Sequence, residues 1–185
     1  MLLFPRSGVP NKMRFQFSLT IIVLACVATA YAQASLPDGI IAVTPKKAPE
    51  ILLKNMDDEP LTGFPARDTW TFVHFWASWC GPCKREMPAI SGLIKHFRKN
   101  EIRIILVNPS EDDEAVFAFL GGIDPDMKTY MDRDGQVTEK WAPRGLPATY
   151  LVDPEGVIRY QALGGRNWLQ DNYLEFLHSL TRGSR

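Results

Sequence analysis

The stretch Phe72-Val73-His74-Phe75-Trp76-Ala77-Ser78-Trp79-Cys80-Gly81-Pro82-Cys83-Lys84-Arg85-Glu86-Met87-Pro88 constrains this chain more than any other. A β-branched and aromatic run predicts a buried strand. A Cys-x-x-Cys turn follows, and then the apolar periodicity of a helix. Two thiols therefore stand where a strand hands over to a helix. A helix N-terminus carries partial positive charge and unpaired N–H groups. A thiolate there is stabilised, and its pKa falls toward neutrality. Cys80 caps the helix and Cys83 lies one turn inside it. This reads as Cys80 attacking and Cys83 resolving.

The chain has 185 residues, enough for one well-cored domain. Formal net charge is zero, but residues 1–32 hold Arg6, Lys12 and Arg14 and no acid. Beyond them, 18 basic residues face 21 acidic ones, a net of −3. No basic patch argues for nucleic acid. Phe15 to Ala32 is mostly apolar, follows Lys12 and Arg14, and ends in Ala30-Tyr31-Ala32. This predicts a secretory signal peptide cleaved after Ala32. The run is also close to the length of a membrane span, so a retained anchor is the alternative. Val23-Leu24-Ala25-Cys26 loosely resembles a lipoprotein cleavage box, although Leu24 is bulkier than usual there. The plainer reading makes Cys26 one more apolar residue. Cys80 and Cys83 are then the cysteines of the exported domain. A structural disulfide closing so short a loop would restrict the unfolded chain little, which favours catalysis.

Residues 33–48, with Pro37 and Pro45, read as a linker, and 49–185 as the domain. Strands are expected at 51–53, 71–76, 102–107, 128–131, 148–152 and 157–162. Met87, Ile90, Leu93, Ile94 and Phe97 mark an amphipathic helix that Pro88 should kink. Further helices are expected over 112–120 and 136–142. A C-terminal helix is striped by Leu169, Tyr173, Phe176, Leu177 and Leu180. Alternating elements that end in a hairpin predict an α/β sandwich with a mixed sheet and helices on both faces. The cysteines should sit at the carboxyl end of a central strand, where such sheets place their sites.

Phe75-Trp76-Ala77-Ser78-Trp79-Cys80-Gly81-Pro82-Cys83-Lys84 resembles the active-site signature of the thioredoxin fold. Lys84-Arg85-Glu86-Met87-Pro88 and Gly145-Leu146-Pro147-Ala148-Thr149-Tyr150-Leu151-Val152-Asp153-Pro154-Glu155-Gly156-Val157-Ile158 narrow the resemblance to exported TlpA/ResA/CcmG(DsbE)-like thiol–disulfide oxidoreductases. It covers residues 49 to 182. It implies a thioredoxin-like three-layer sandwich and a cis peptide at Leu146–Pro147, in a loop that abuts the cysteines and pairs with bound peptide. It implies that Glu86, one turn beyond Cys83, exchanges a proton with it; a solvated helix charge is the alternative. His74 departs from the family of thioredoxins proper, which usually carry a buried Asp there. An imidazole could move the same proton, or simply be a satisfied core residue. Trp79, Gly81, Pro82, Leu146 and Pro147 are expected to contact substrate, and Trp76 to lie in the core. His96 and His178 are assigned no role.

The implied activity is dithiol–disulfide exchange by a protein-disulfide reductase without a cofactor, acting as a monomer in the periplasm or another extracytoplasmic space. Gly81-Pro82 leans toward a reductant. The expected substrate is the oxidised haem-binding cysteine pair of an apocytochrome c, with a copper-site cysteine pair in oxidase assembly next. A membrane thiol carrier would supply the electrons. A metal-binding module is the rival class, but two cysteines on one turn are too few ligands for a closed zinc site. A peroxidase would need a separately placed cysteine.

Overall fold

A computed structural model describes residues 35–66, 68–97 and 101–182. The expected signal peptide or anchor, and Cys26 with it, lies outside the described residues. The strands are β1 (Ile40–Lys47), β2 (Lys54–Asn55), β3 (Trp70–Phe75), β4 (Ile102–Pro109), β5 (Tyr130–Asp132), β6 (Ala148–Val152) and β7 (Val157–Leu163). The helices are α1 (Gly81–His96), α2 (Asp113–Gly121), α3 (Gln136–Trp141) and α4 (Asp171–Arg182). The strands form one mixed sheet in the order β1-β7-β6-β3-β4-β5-β2. This is the thioredoxin-like α/β sandwich that the sequence predicts.

β3 is central. It runs parallel to β4, with His74 opposite Leu106, and antiparallel to β6, with His74 opposite Thr149. Successive side chains leave a strand on opposite faces. Phe72 and Trp76 accordingly enter a core shared with Met87, Ile90 and Leu93 of α1, Val116 and Leu120 of α2, and Tyr173 and Leu177 of α4. Val73 and Phe75 enter the opposite core, closed by Val137 and Trp141 of α3 and by Ile51 and Leu61. The same alternation assigns His74 to the α1 face.

The segment 33–48 is not merely a linker: residues 40–47 form β1, an edge strand paired with β7 from Ile40–Ala162 to Lys47–Val157. Its side chains are mostly exposed and it contains Pro45, so it has little apolar alternation. One-sided pairing in an edge position tolerates both features. Ile51 to Leu53 is not a strand either. Pairing with β5 begins at Lys54, while Ile51 is buried as a plug beneath the sheet. The strand expected at 128–131 is displaced to 130–132. α1 runs unbroken from Gly81 to His96 through Pro88. α4 begins at Asp171, which leaves Leu169 in the preceding loop and partly exposed.

Candidate active site

Cys80 is the N-cap of α1. Its backbone is extended, and its Sγ accepts a hydrogen bond from the Cys83 N–H at 3.2 Å. Gly81 and Pro82 occupy the first helical positions, where a proline loses no hydrogen bond. Cys80 and Cys83 are joined by a disulfide, their Cα atoms 5.2 Å apart. Their access is unequal: Cys80 retains 5% of its surface and Cys83 none. Trp79, beside Cys80, is 68% exposed, whereas Trp76 is sealed in the core with its indole N–H donated to Thr129 Oγ1 at 3.1 Å.

The loop ahead of the turn is tied down by a carboxylate that the motif does not reveal. Glu111 accepts from the Ser78 N–H at 2.8 Å, from the Ser78 hydroxyl at 2.5 Å and from Asn108 Nδ2 at 2.6 Å. Asn108 and Glu111 stand at the end of β4 and just after it. They fix the loop from the neighbouring strand.

Beneath the pair lie two buried titratable groups. Glu86 is 3% exposed, and the Trp168 indole N–H donates to its Oε1 at 2.5 Å. Burial pushes its carboxyl up to about 7, against the opposing pull of the Trp168 hydrogen bond. His74 is fully buried, and its Nδ1 shares a hydrogen bond with Thr149 Oγ1 at 2.9 Å. Burial holds its pKa down at about 3, so the ring is neutral at pH 7. His74 Nε2 and Glu86 Oε2 face each other at 3.9 Å, and neither has a hydrogen-bond partner among the described residues. A carboxyl that titrates near neutrality, one helical turn beyond a sealed thiol, can take and return a proton.

Two loops complete the surround. The Leu146–Pro147 peptide is cis, with Pro147 buried and Leu146 partly buried. Ala148 pairs with Phe75, which lays this loop along the chain leaving β3 toward the cysteines. Gly165 packs on Pro82 from the other side: a Cβ there would stand 2.9 Å from the Pro82 carbonyl oxygen. Only glycine allows that approach. This second loop also carries Arg166 and Trp168. Neither residue stood out in the sequence, since both lie some eighty positions from the motif and belong to no local pattern.

Cys80, Cys83, Glu86 and His74 therefore converge at the carboxyl edge of β3, and Gly81, Pro82 and Trp79 are exposed around them. Among the described residues, no group of three or more His, Cys, Asp or Glu side chains could hold a metal ion.

A dithiol at a strand-to-helix turn of this fold, faced by a cis-proline loop, defines a thiol–disulfide oxidoreductase. Comparison with known proteins agrees. The profile of the AhpC/TSA family matches residues 44–161, and the chain belongs to that family. It is 31% identical over 111 residues to the thiol–disulfide oxidoreductase ResA of Bacillus subtilis, across 60% of this chain and 62% of that protein. It is 23% identical over 173 residues to ResA of Bacillus thuringiensis, across 92% of this chain and 99% of that protein. Among solved structures it resembles the thioredoxin domain of a thiol–disulfide oxidoreductase from Bacteroides vulgatus. There the TM-score is 0.64 and the identity 21%, covering 76% of this chain and 99% of that one.

Proposed function

We propose that this chain is an exported reductant of protein disulfides, and that its substrate is the oxidised haem-binding cysteine pair of an apocytochrome c. The unequal access of the two thiols carries the mechanistic part of this reading. In the reduced protein the Cys80 thiolate attacks one sulfur of the partner's disulfide. That S–S bond breaks, a Cys80–partner disulfide forms, and the partner's second sulfur leaves as a thiolate. Cys83 then gives its proton to the Glu86 carboxylate and attacks Cys80 Sγ. His74, held neutral by burial with its pKa at about 3, is too weak a base to share that proton, and the role expected for it is not supported. The partner departs with both sulfurs reduced, and two electrons have left the pair. A membrane thiol carrier re-reduces Cys80–Cys83. The export reading rests on residues 1–32 and the substrate on the resemblance to ResA-like proteins. Trp79 and Leu146 supply the surface on which the partner's segment is held, and buried Pro147, through its cis peptide, shapes the loop that presents Leu146.

The deciding experiment is the equilibrium reduction potential of Cys80–Cys83 in the domain beginning at Gln33. A value near about −270 mV is expected of a reductant. A value near about −120 mV would make the protein an oxidant and overturn the substrate assignment. Cys83→Ser should then trap a Cys80 mixed disulfide in the exported compartment. An apocytochrome among the trapped proteins supports the assignment, and a copper-site protein in its place replaces it.

A further inference from the structure

Beside the cysteine turn opens a cleft of about 490 Å³, walled by Pro82, Arg85, Gly165, Arg166, Asn167 and Leu169. Its charges are one-sided. A methyl group at Gly81 would stand 3.7 Å from Arg85 Nη1, so the Arg85 guanidinium lies against the Cys80–Cys83 turn. Arg85 is exposed and makes no hydrogen bond or ion pair with another described residue. Arg166 lies over Trp168 and Tyr173, at 5.2 and 5.8 Å from their ring centroids. It donates to the carbonyls of Asp38, Leu163 and Gly164, and the carboxyl its charge acts on is that of buried Glu86. The one acid in the cleft wall is Glu86, which burial holds partly protonated at neutral pH. Glu111, which does not line the cleft, is occupied by Ser78 and Asn108. Two cations thus flank the redox turn on a domain whose net charge is negative. The apolar surfaces of Pro82 and Leu169 beside them suit a peptide segment.

We infer that this cleft is a specificity subsite that takes an acidic side chain of the partner protein, located a few residues from the attacked cysteine, with Arg85 as its charge partner. The inference rests on the proposed reductase reading and adds a preference among substrates. A guanidinium aligned with an incoming carboxylate makes a charge-assisted hydrogen bond without first leaving another partner. Complementary charge at a rim acts mainly on encounter and on the choice of partner.

The test uses the reduced full-length chain and three disulfide-bonded peptides that differ at one position near the attacked cysteine: Glu, Gln or Lys. The expected kcat/KM order is Glu, Gln, Lys, with about three- to fivefold between Glu and Gln, the scale of one partly exposed ion pair. Arg85→Glu should invert the order, and added salt should compress it. Equal rates on all three peptides, or an order unchanged in Arg85→Glu, would overturn the subsite. Competition by millimolar succinate would overturn the peptide assignment and make the cleft a small-anion site. No reduction of any peptide would instead count against the reductase reading itself, so the two failures are distinguishable.

Discussion

Two strand-to-helix junctions lie side by side at the carboxyl edge of the sheet, and they use one geometry for two purposes. β3 and β4 are parallel neighbours, and each feeds a helix through an extended capping residue. At α2 the cap is Asp112, whose carboxylate accepts from the Ala115 N–H at 2.8 Å, and Asp113 and Glu114 fill the first turn. At α1 the cap is Cys80, whose sulfur accepts from the Cys83 N–H at 3.2 Å, and the first turn has no acid. The first arrangement satisfies the helix end and neutralises its positive pole. The second leaves the pole for a thiolate. The comparison separates what a helix N-terminus needs for stability from what a reactive thiol needs from it. Stability favours resident carboxylates, and they would raise the thiol's pKa.

Cys80→Ser should test that contrast most severely. Serine caps a helix well, so thermal stability under reducing conditions should stay close to that of the reduced wild type while all disulfide reduction is lost. Residual turnover would break the assignment of the attacking thiol. The next largest effect concerns the floor of the site. Glu86 has a raised folded-state pKa, so it favours folding below about pH 4.5, and that contribution is lost as pH rises through about 7. His74 has a depressed one, so its contribution is present above about pH 6.5 and lost as pH falls through about 3. Between 4.5 and 6.5 the two oppose each other. Removing one exposes the other, by about 3 kcal/mol or more over its full range. Relative to wild type, Glu86→Gln should gain stability as pH rises from 4.5 to 7, and His74→Asn should lose it as pH rises from 3 to 6.5. Urea titrations of the oxidised proteins across this range check both signs.

Smaller effects sharpen the comparison at the caps themselves. Asp112→Ala should cost about 1 kcal/mol of stability and leave the reduction potential unchanged. Gly81→Glu adds to α1 the kind of acid that α2 already has, at a position open enough for a side chain. It should raise the Cys80 thiol pKa by a few tenths of a unit, as iodoacetamide alkylation rates against pH would show.

The α1 junction was legible in the sequence because everything it requires is contiguous: the apolar strand, the two cysteines, the proline at the helix start. The cis-proline loop was legible for the same reason. The groups that set the chemistry beneath were not. Trp168 reaches Glu86 across 82 positions, and Glu111 reaches Ser78 across 33. No local periodicity encodes such contacts. β1 escaped notice because an exposed edge strand needs no apolar alternation. Leu169 fitted the helical spacing of α4, yet it lies in the loop beside the cleft.

The order of strands in the sheet also bears on how the protein is made. β3 lies between β4, encoded soon after it, and β6, whose Thr149 lies 75 positions beyond His74. A chain emerging N-terminus first therefore presents both cysteines well before their second flanking strand exists. Loop closure over that separation has to precede the seal over Cys83. The burial that sets Cys83 apart from Cys80 therefore waits on the C-terminal hairpin, whereas the helix cap that favours a Cys80 thiolate is complete as soon as α1 forms.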